Sequence, residues 1–167
     1  MSQEDEYAAM RERYLGLVAT ISTTEADRKK AGMDFDRFCG SPKVMCVAVD
    51  SVSFAFTTSR LVMTGHLGPL GLEPIATHIN LSSKAIKCVC VKGSGRVHPH
   101  VFSGGDPCFG DDNRALLTML FGKRRAAELG LFMIRFFEQY GDNSWCASPA
   151  DWEKLTGEEV AQWIAGR

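Results

Sequence analysis

Residues 93–110 read GSGRVHPHVFSGGDPCFG. Five glycines, two prolines and two histidines in eighteen residues leave no apolar period for a helix or a strand to use. An irregular loop of this kind between regular elements is where chemistry is usually housed. It divides the chain: upstream the text reads as a helix and then strands, downstream as helices.

Immediately upstream, Ile86, Cys88 and Cys90 alternate with Lys87, Val89 and Val91, and Ile75, Thr77 and Ile79 alternate with Ala76, His78 and Asn80. Both patterns predict strands with one face on a core. Gly65, Gly68, Pro69, Gly71 and Pro74 punctuate a loop before them. Val52, Phe54, Phe56 and Thr58 alternate with Ser53, Ala55 and Thr57, and Arg60 to Thr64 continues that strand or begins another. Lys43 to Asp50 (KVMCVAVD) is a continuous apolar run after Pro42, which predicts a strand buried on both faces. Short connections favour a four-stranded antiparallel meander. At the start, Tyr7, Met10, Tyr14, Leu17, Val18 and Ile21 form one stripe, predicting a helix over 4–22; the charged stretch from Ser22 to Lys30 prolongs it or loops away.

Downstream, Leu116, Leu117 and Leu120 suggest a short helix. Leu129, Phe132, Met133, Phe136, Phe137 and Tyr140 keep the rhythm of a well-buried one. Ser148-Pro149 has the chemistry of a helix start. Thr156 and Glu159 have capping-box spacing, so the tail divides into two short helices near Gly157, with Trp152 and Trp163 packing down. Lys123-Arg124-Arg125 reads as a solvated helix start. The expectation is one α+β domain over 1–167: N-terminal helix, four-stranded antiparallel meander, active-site loop and C-terminal helices.

The 167 residues carry a net charge of -1, with 45% hydrophobic and 23% charged residues, which offers no basic face for nucleic acid or an acidic membrane. The acidic start MSQEDEYAAM lacks the form of a signal peptide, and no stretch approaches the ~20 apolar residues of a membrane span. A cytoplasmic protein is expected. Six cysteines in a chain of this length do not read as a disulfide framework, and most sit in apolar text as small hydrophobes. Cys108 lies in the polar glycine loop, where a thiol meets solvent and can act as a nucleophile. A thioester formed on it would keep an acyl group activated for transfer to an amine. A side-chain N–H nearby would stabilise the oxyanion of that transfer, and His100 can offer one. Asp111, Asp112 and Asp142 are candidates to orient the amine or accept its proton.

His98-Pro99-His100 follows the fourth strand-like segment, and Cys108 lies eight residues beyond His100. Over residues 96–112 this resembles the ubiquitin-conjugating enzymes, in which a His-Pro-Asn tripeptide precedes the catalytic cysteine at the same spacing. The order of elements along the chain is similar as well. His-Pro-His variants and the lack of a proline-rich stretch between Pro74 and Pro99 bring the chain closer to the divergent conjugating proteins of bacterial ubiquitin-like systems. The resemblance implies that Cys108 is the thioester carrier, that His100 stands for the Asn of the family, and that His98 and Pro99 shape the turn. It implies three partners: a ubiquitin-like modifier, an activating (adenylating) enzyme met through the first helix with its Arg11 and Arg13, and a protein target. It implies no cofactor.

Three other readings stay open. The same fold can serve as a non-catalytic adaptor that binds a ubiquitin-like protein. Cys88, Cys90, His98, His100 and Cys108 can be read as a zinc set, although Cys88 on a core-facing strand argues against it. Cys108 with His98 or His100 as base can be read as a thiol hydrolase.

Overall fold

Two capping boxes start the chain. In the computed structural model, which describes residues 1–20, 23–92, 95–141 and 145–166, the Ser2 hydroxyl accepts from the Asp5 amide and the Asp5 carboxylate from the Ser2 amide at the start of α1 (Gln3–Val18). Thr24 and Asp27 do the same at the start of α2 (Glu25–Cys39). Each box satisfies orphan amide groups of a first turn. α1 ends at Val18, with Ala19 already extended, short of the helix expected over 4–22, and residues 21 and 22 lie outside the described residues. The stretch to Lys30 is therefore largely the start of a second helix, which the apolar pattern alone does not announce. The two helices are clamped by Asp36, which accepts from the Tyr7 hydroxyl at 2.7 Å and pairs with the Arg11 guanidinium at 2.8 Å.

The main sheet runs in the order β1-β2-β5-β6, all neighbours antiparallel, from Val44–Val49, Ser53–Thr58, Ile75–Asn80 and Ala85–Cys90. These are the four expected strands in sequence order. Between the second and third, the chain makes an excursion. Leu61–Met63 (β3) and Leu70–Leu72 (β4) pair with each other, and β4 also pairs with Glu153–Lys154 (β7) in a second, three-stranded sheet. Gly65 to Pro74, expected as loop throughout, thus contains β4.

The period-2 patterns put Phe54, Phe56, Ile75, Ile79, Ile86 and Cys88 on one buried face of the main sheet. Phe35 and Phe38 from α2 and Tyr14 from α1 pack onto it, with Tyr14–Phe35, Phe38–Phe56 and Phe38–Phe54 ring centroids 4.6, 5.0 and 5.2 Å apart. Each such ring removed from water contributes roughly 1.5–3 kcal/mol. The helix Ala126–Phe137 (α4) crosses α2 so closely that a Cβ on Gly130 would stand 2.6 Å from the Phe38 ring. The expectation that Lys43–Asp50 is buried on both faces is corrected. β1 is an edge strand bulged between Val44 and Cys46, with Met45 and Cys46 exposed, because helices cover only one face.

Past the loop, a single 3-10 turn (Asp111–Asn113) leads into α3 (Arg114–Gly122) and then α4. Lys123-Arg124-Arg125 is not a solvated helix start. Lys123 is exposed, but Arg124, at φ +51°, turns back to donate from Nε and Nη2 to the Leu17 carbonyl at 2.9 and 2.6 Å, capping the C-terminal end of α1. Ser148-Pro149 opens a 3-10 turn rather than an α-helix, with the Ser148 hydroxyl accepting from the Ala150 amide. The predicted capping box at Thr156 opens α5 (Gly157–Ala165), whose Trp163 donates to the Leu61 carbonyl at 2.9 Å and lies under the Arg60 guanidinium. Apart from the two-residue β7, helices and antiparallel strands are segregated along the chain, an α+β layout. Among the described residues, no helix is long and apolar enough to cross a membrane.

Candidate active site

The loop after β6 folds as a tight hairpin. Val101 N–H donates to the His98 carbonyl at 3.0 Å, which closes a turn over Pro99-His100. Val101 then bridges Pro107, Phe102 N–H donates to Asp106 at 2.9 Å, and Cys108 N–H donates to His100 at 2.7 Å. These contacts belong to one antiparallel register, so the eight-residue spacing between His100 and Cys108 is the arithmetic of a closed hairpin. Gly105 sits at its tip with φ +89°, a conformation that disfavours any side chain. Its carbonyl accepts from Cys88 N–H at 2.9 Å, and a Cβ there would come within 2.6 Å of the Cys88 carbonyl. The Lys87–Asp106 ion pair at 2.6 Å adds a second tie to β6.

Both ends of the hairpin rest on α4. His98, wholly buried, packs on Phe136 with centroids 4.9 Å apart, and Phe109 packs on Phe136 and Phe132 at 5.1 and 5.5 Å. The Asn113 amide holds the Phe109 carbonyl at 2.8 Å. Cys108 is therefore bracketed between two anchored rings, while its own side chain stays half-buried at the surface.

The two histidines hold opposite tautomers. Nδ1 of His98 accepts from the His100 amide at 3.1 Å, so its proton lies on Nε2, which donates to the Gln139 carbonyl at 2.9 Å. Burial depresses the His98 pKa to about 3, against the weaker opposing pull of the Gln139 carbonyl. Neutral, enclosed and fully hydrogen-bonded, His98 is unsuited to be a base or to meet substrate; it holds the turn. In His100, Nε2 accepts from the Gly141 amide at 3.1 Å, which leaves Nδ1 as the protonated nitrogen of the neutral ring. His100 is half-buried beside Cys108.

A groove of about 700 Å³ opens beside Cys108, with Ile86, Pro107 and Phe121 in its wall and Lys84, Asp111 and Arg114 along it. Asp111 and Asp112 are both exposed on the 3-10 turn, and Asp111 is engaged by the Arg114 guanidinium at 2.6 Å. Asp142 lies outside the described residues. Of the candidates, His98, His100 and Cys108 come together, Asp111 shares the groove, and Asp112 does not line it.

Cys88 is committed elsewhere. It is buried on the sheet face, and desolvation pushes its thiol up to about 12. Among the described residues no three His, Cys, Asp or Glu side chains converge in a way that could hold a metal ion. The zinc reading has no geometry to rest on.

The sequence reading did not connect Gly105 to β6, or Gly141 and Cys146 to the His98-Pro99-His100 turn. Cys146 N–H and Ala147 N–H both donate to the Pro99 carbonyl, at 2.7 and 3.2 Å, which brings a distant segment against the tripeptide. Gly105 was announced by the Gly104-Gly105 pair, whereas nothing local to Gly141 or Cys146 ties them to the loop.

On the first helix, Arg11 is held by Asp36, while Arg13 is exposed. No family model, no curated protein and no solved structure matches the chain.

Proposed function

We propose that the chain is a ubiquitin-conjugating-type enzyme of the ubiquitin-conjugating fold, with Cys108 as the residue that carries a ubiquitin-like protein. The observation that supports it most is the hairpin register that joins a rigid His-Pro-His turn to a half-exposed thiol eight residues on. The Cys108 thiolate attacks the thioester carbonyl of a modifier held by an activating enzyme. The tetrahedral intermediate collapses with loss of the activating enzyme's thiolate. A target amine then attacks the new thioester, loses its proton, and Cys108 leaves as thiolate.

His100 is assigned the donor role. With its proton on Nδ1, a neutral imidazole can hydrogen-bond the oxyanion, and one donor of this kind is worth about 3 kcal/mol of barrier. The open groove beside Cys108, with apolar walls and charged side chains in comparable measure, suits an extended peptide tail. Asp111 in the groove and Asp112 outside it, both on the exposed 3-10 turn, are offered as groups that meet the incoming amine, and the first helix α1, with its exposed Arg13, as the surface for the activating enzyme.

The test mixes the protein with its activating enzyme, ATP and modifier. A thiol-sensitive adduct is expected, and it should be absent with Cys108→Ala. An adduct that survives that substitution sinks the assignment. Modifier binding with no adduct at all points instead to a non-catalytic adaptor.

A further inference from the structure

Two of the six thiols flank one dipeptide. Cys108 N–H is tied to the carbonyl of His100, and Cys146 N–H to the carbonyl of Pro99, each at 2.7 Å. Both side chains are half-buried rather than sealed in the core. Val101 N–H closes the turn on His98, so the two carbonyls that hold the cysteines are part of a rigid element. The carbonyls of two consecutive residues thus bring the two cysteine backbones to one turn, and partial burial, and after it the charge of Cys108, hold the Cys146 thiol above its ordinary value.

The remaining thiols are placed differently. Cys88 is enclosed, and desolvation also raises Cys39, to about 11. Cys46 is exposed on the edge strand β1, and Cys90 points its sulfur at the Lys92 carbonyl, 3.5 Å away.

We infer that Cys108 and Cys146 form a peroxide-sensitive thiol pair, with Cys146 resolving oxidised Cys108 as an intramolecular disulfide. The co-reactant is hydrogen peroxide. The Cys108 thiolate attacks one peroxide oxygen, the O–O bond breaks, and Cys108 becomes a sulfenic acid while hydroxide leaves and is protonated to water. The Cys146 sulfur then attacks the Cys108 sulfur. The S–S bond forms, the S–O bond breaks, and the thiol proton departs with the oxygen as a second water. The pair loses two electrons, and one peroxide becomes two waters. On the function proposed above, this linkage would block thioester formation reversibly and spare Cys108 from further oxidation.

The experiment treats the full chain with hydrogen peroxide, alkylates remaining thiols, and maps disulfides by mass spectrometry of a non-reduced digest. A Cys108–Cys146 linked peptide is expected, lost on adding dithiothreitol. With Cys146→Ser it should vanish, and Cys108 should advance to sulfinic acid at least several-fold faster. With Cys46→Ser it should persist. Failure to find the linked peptide in the wild-type chain, or equal overoxidation of Cys108 with and without Cys146, overturns the pair. Because the readout is a peptide mass, this failure is separate from failure to load a modifier.

Discussion

His98 and His100 stand with ring centroids 5.9 Å apart and carry their protons on opposite nitrogens, Nε2 in the first and Nδ1 in the second. Backbone amides dictate this: each ring accepts one N–H, and the accepting nitrogen cannot also hold a proton.

Long-range proton–nitrogen correlation spectra near neutral pH should therefore show, among the four histidines of the chain, His98 protonated at Nε2 and His100 at Nδ1. Assignment by His98→Gln and His100→Gln identifies them. In Gly141→Pro, which removes the amide that His100 accepts, its Nδ1–H form should give way to a mixture with Nε2–H. A wild-type His100 protonated on Nε2 would mean that the Gly141 bond does not form in solution.

Acid should act on stability through His98. Its folded pKa of about 3 lies below the ordinary 6.5, so below pH 6.5 the unfolded chain binds a proton that the folded chain refuses. Its contribution is complete above that pH and is lost as pH falls toward 3, with a slope approaching about 1.4 kcal/mol per pH unit. Urea titrations at pH 7, 6 and 5 should show the difference in stability between the wild type and His98→Gln narrowing in that direction. A gap that stays constant counts against a buried neutral ring.

Gly104 and Gly105 should respond oppositely to alanine. Gly105→Ala places a Cβ at φ +89° and 2.6 Å from a backbone oxygen, so the backbone term alone costs about 1–3 kcal/mol, with steric displacement added. At Gly104 the nearest atom is 3.6 Å away, and alanine should be neutral or gain up to about 1 kcal/mol. Denaturant midpoints decide, and under the proposed function Gly105→Ala should also slow thioester loading.

Arg124 combines a left-handed backbone with a two-pronged cap on Leu17. Arg124→Ala should destabilise by about 1–3 kcal/mol, since charged hydrogen bonds are the stronger ones. Arg124→Gly loses the same bonds but relieves the backbone, so it should be the more stable of the two variants. The reverse order in thermal melts would argue against φ +51° in solution.

Much of this was legible beforehand, for identifiable reasons. Alternation through Phe54-Phe56 and Ile75-Ile79 survives because one sheet face is buried and the other is not. The capping box at Thr156 was readable because both partners are local. β4 was hidden because Gly71 and the prolines beside it are turn residues, and what buries Gly71 is Trp163 of α5, so close that a Cβ would lie 2.8 Å from its ring. α2 was hidden because charges dominate it and its large buried side chains, Phe35 and Phe38, come only near its C-terminal end, although Thr24 and Asp27 had capping-box spacing. At the site, the His98-Pro99-His100 spacing to Cys108 was visible because a hairpin is local in sequence. Cys146 and Gly141 reach it through tertiary structure, which no local pattern encodes.

The bond from Cys88 to Gly105 has one more consequence. β6 is the last strand of its sheet, and an outermost strand with open amides is a template on which another chain can add itself. By occupying that amide, the hairpin shields the strand from self-association. A variant that loosens Gly105 should therefore form oligomers or fibrils as well as unfold more easily, and purification yield would register the damage before any assay of chemistry.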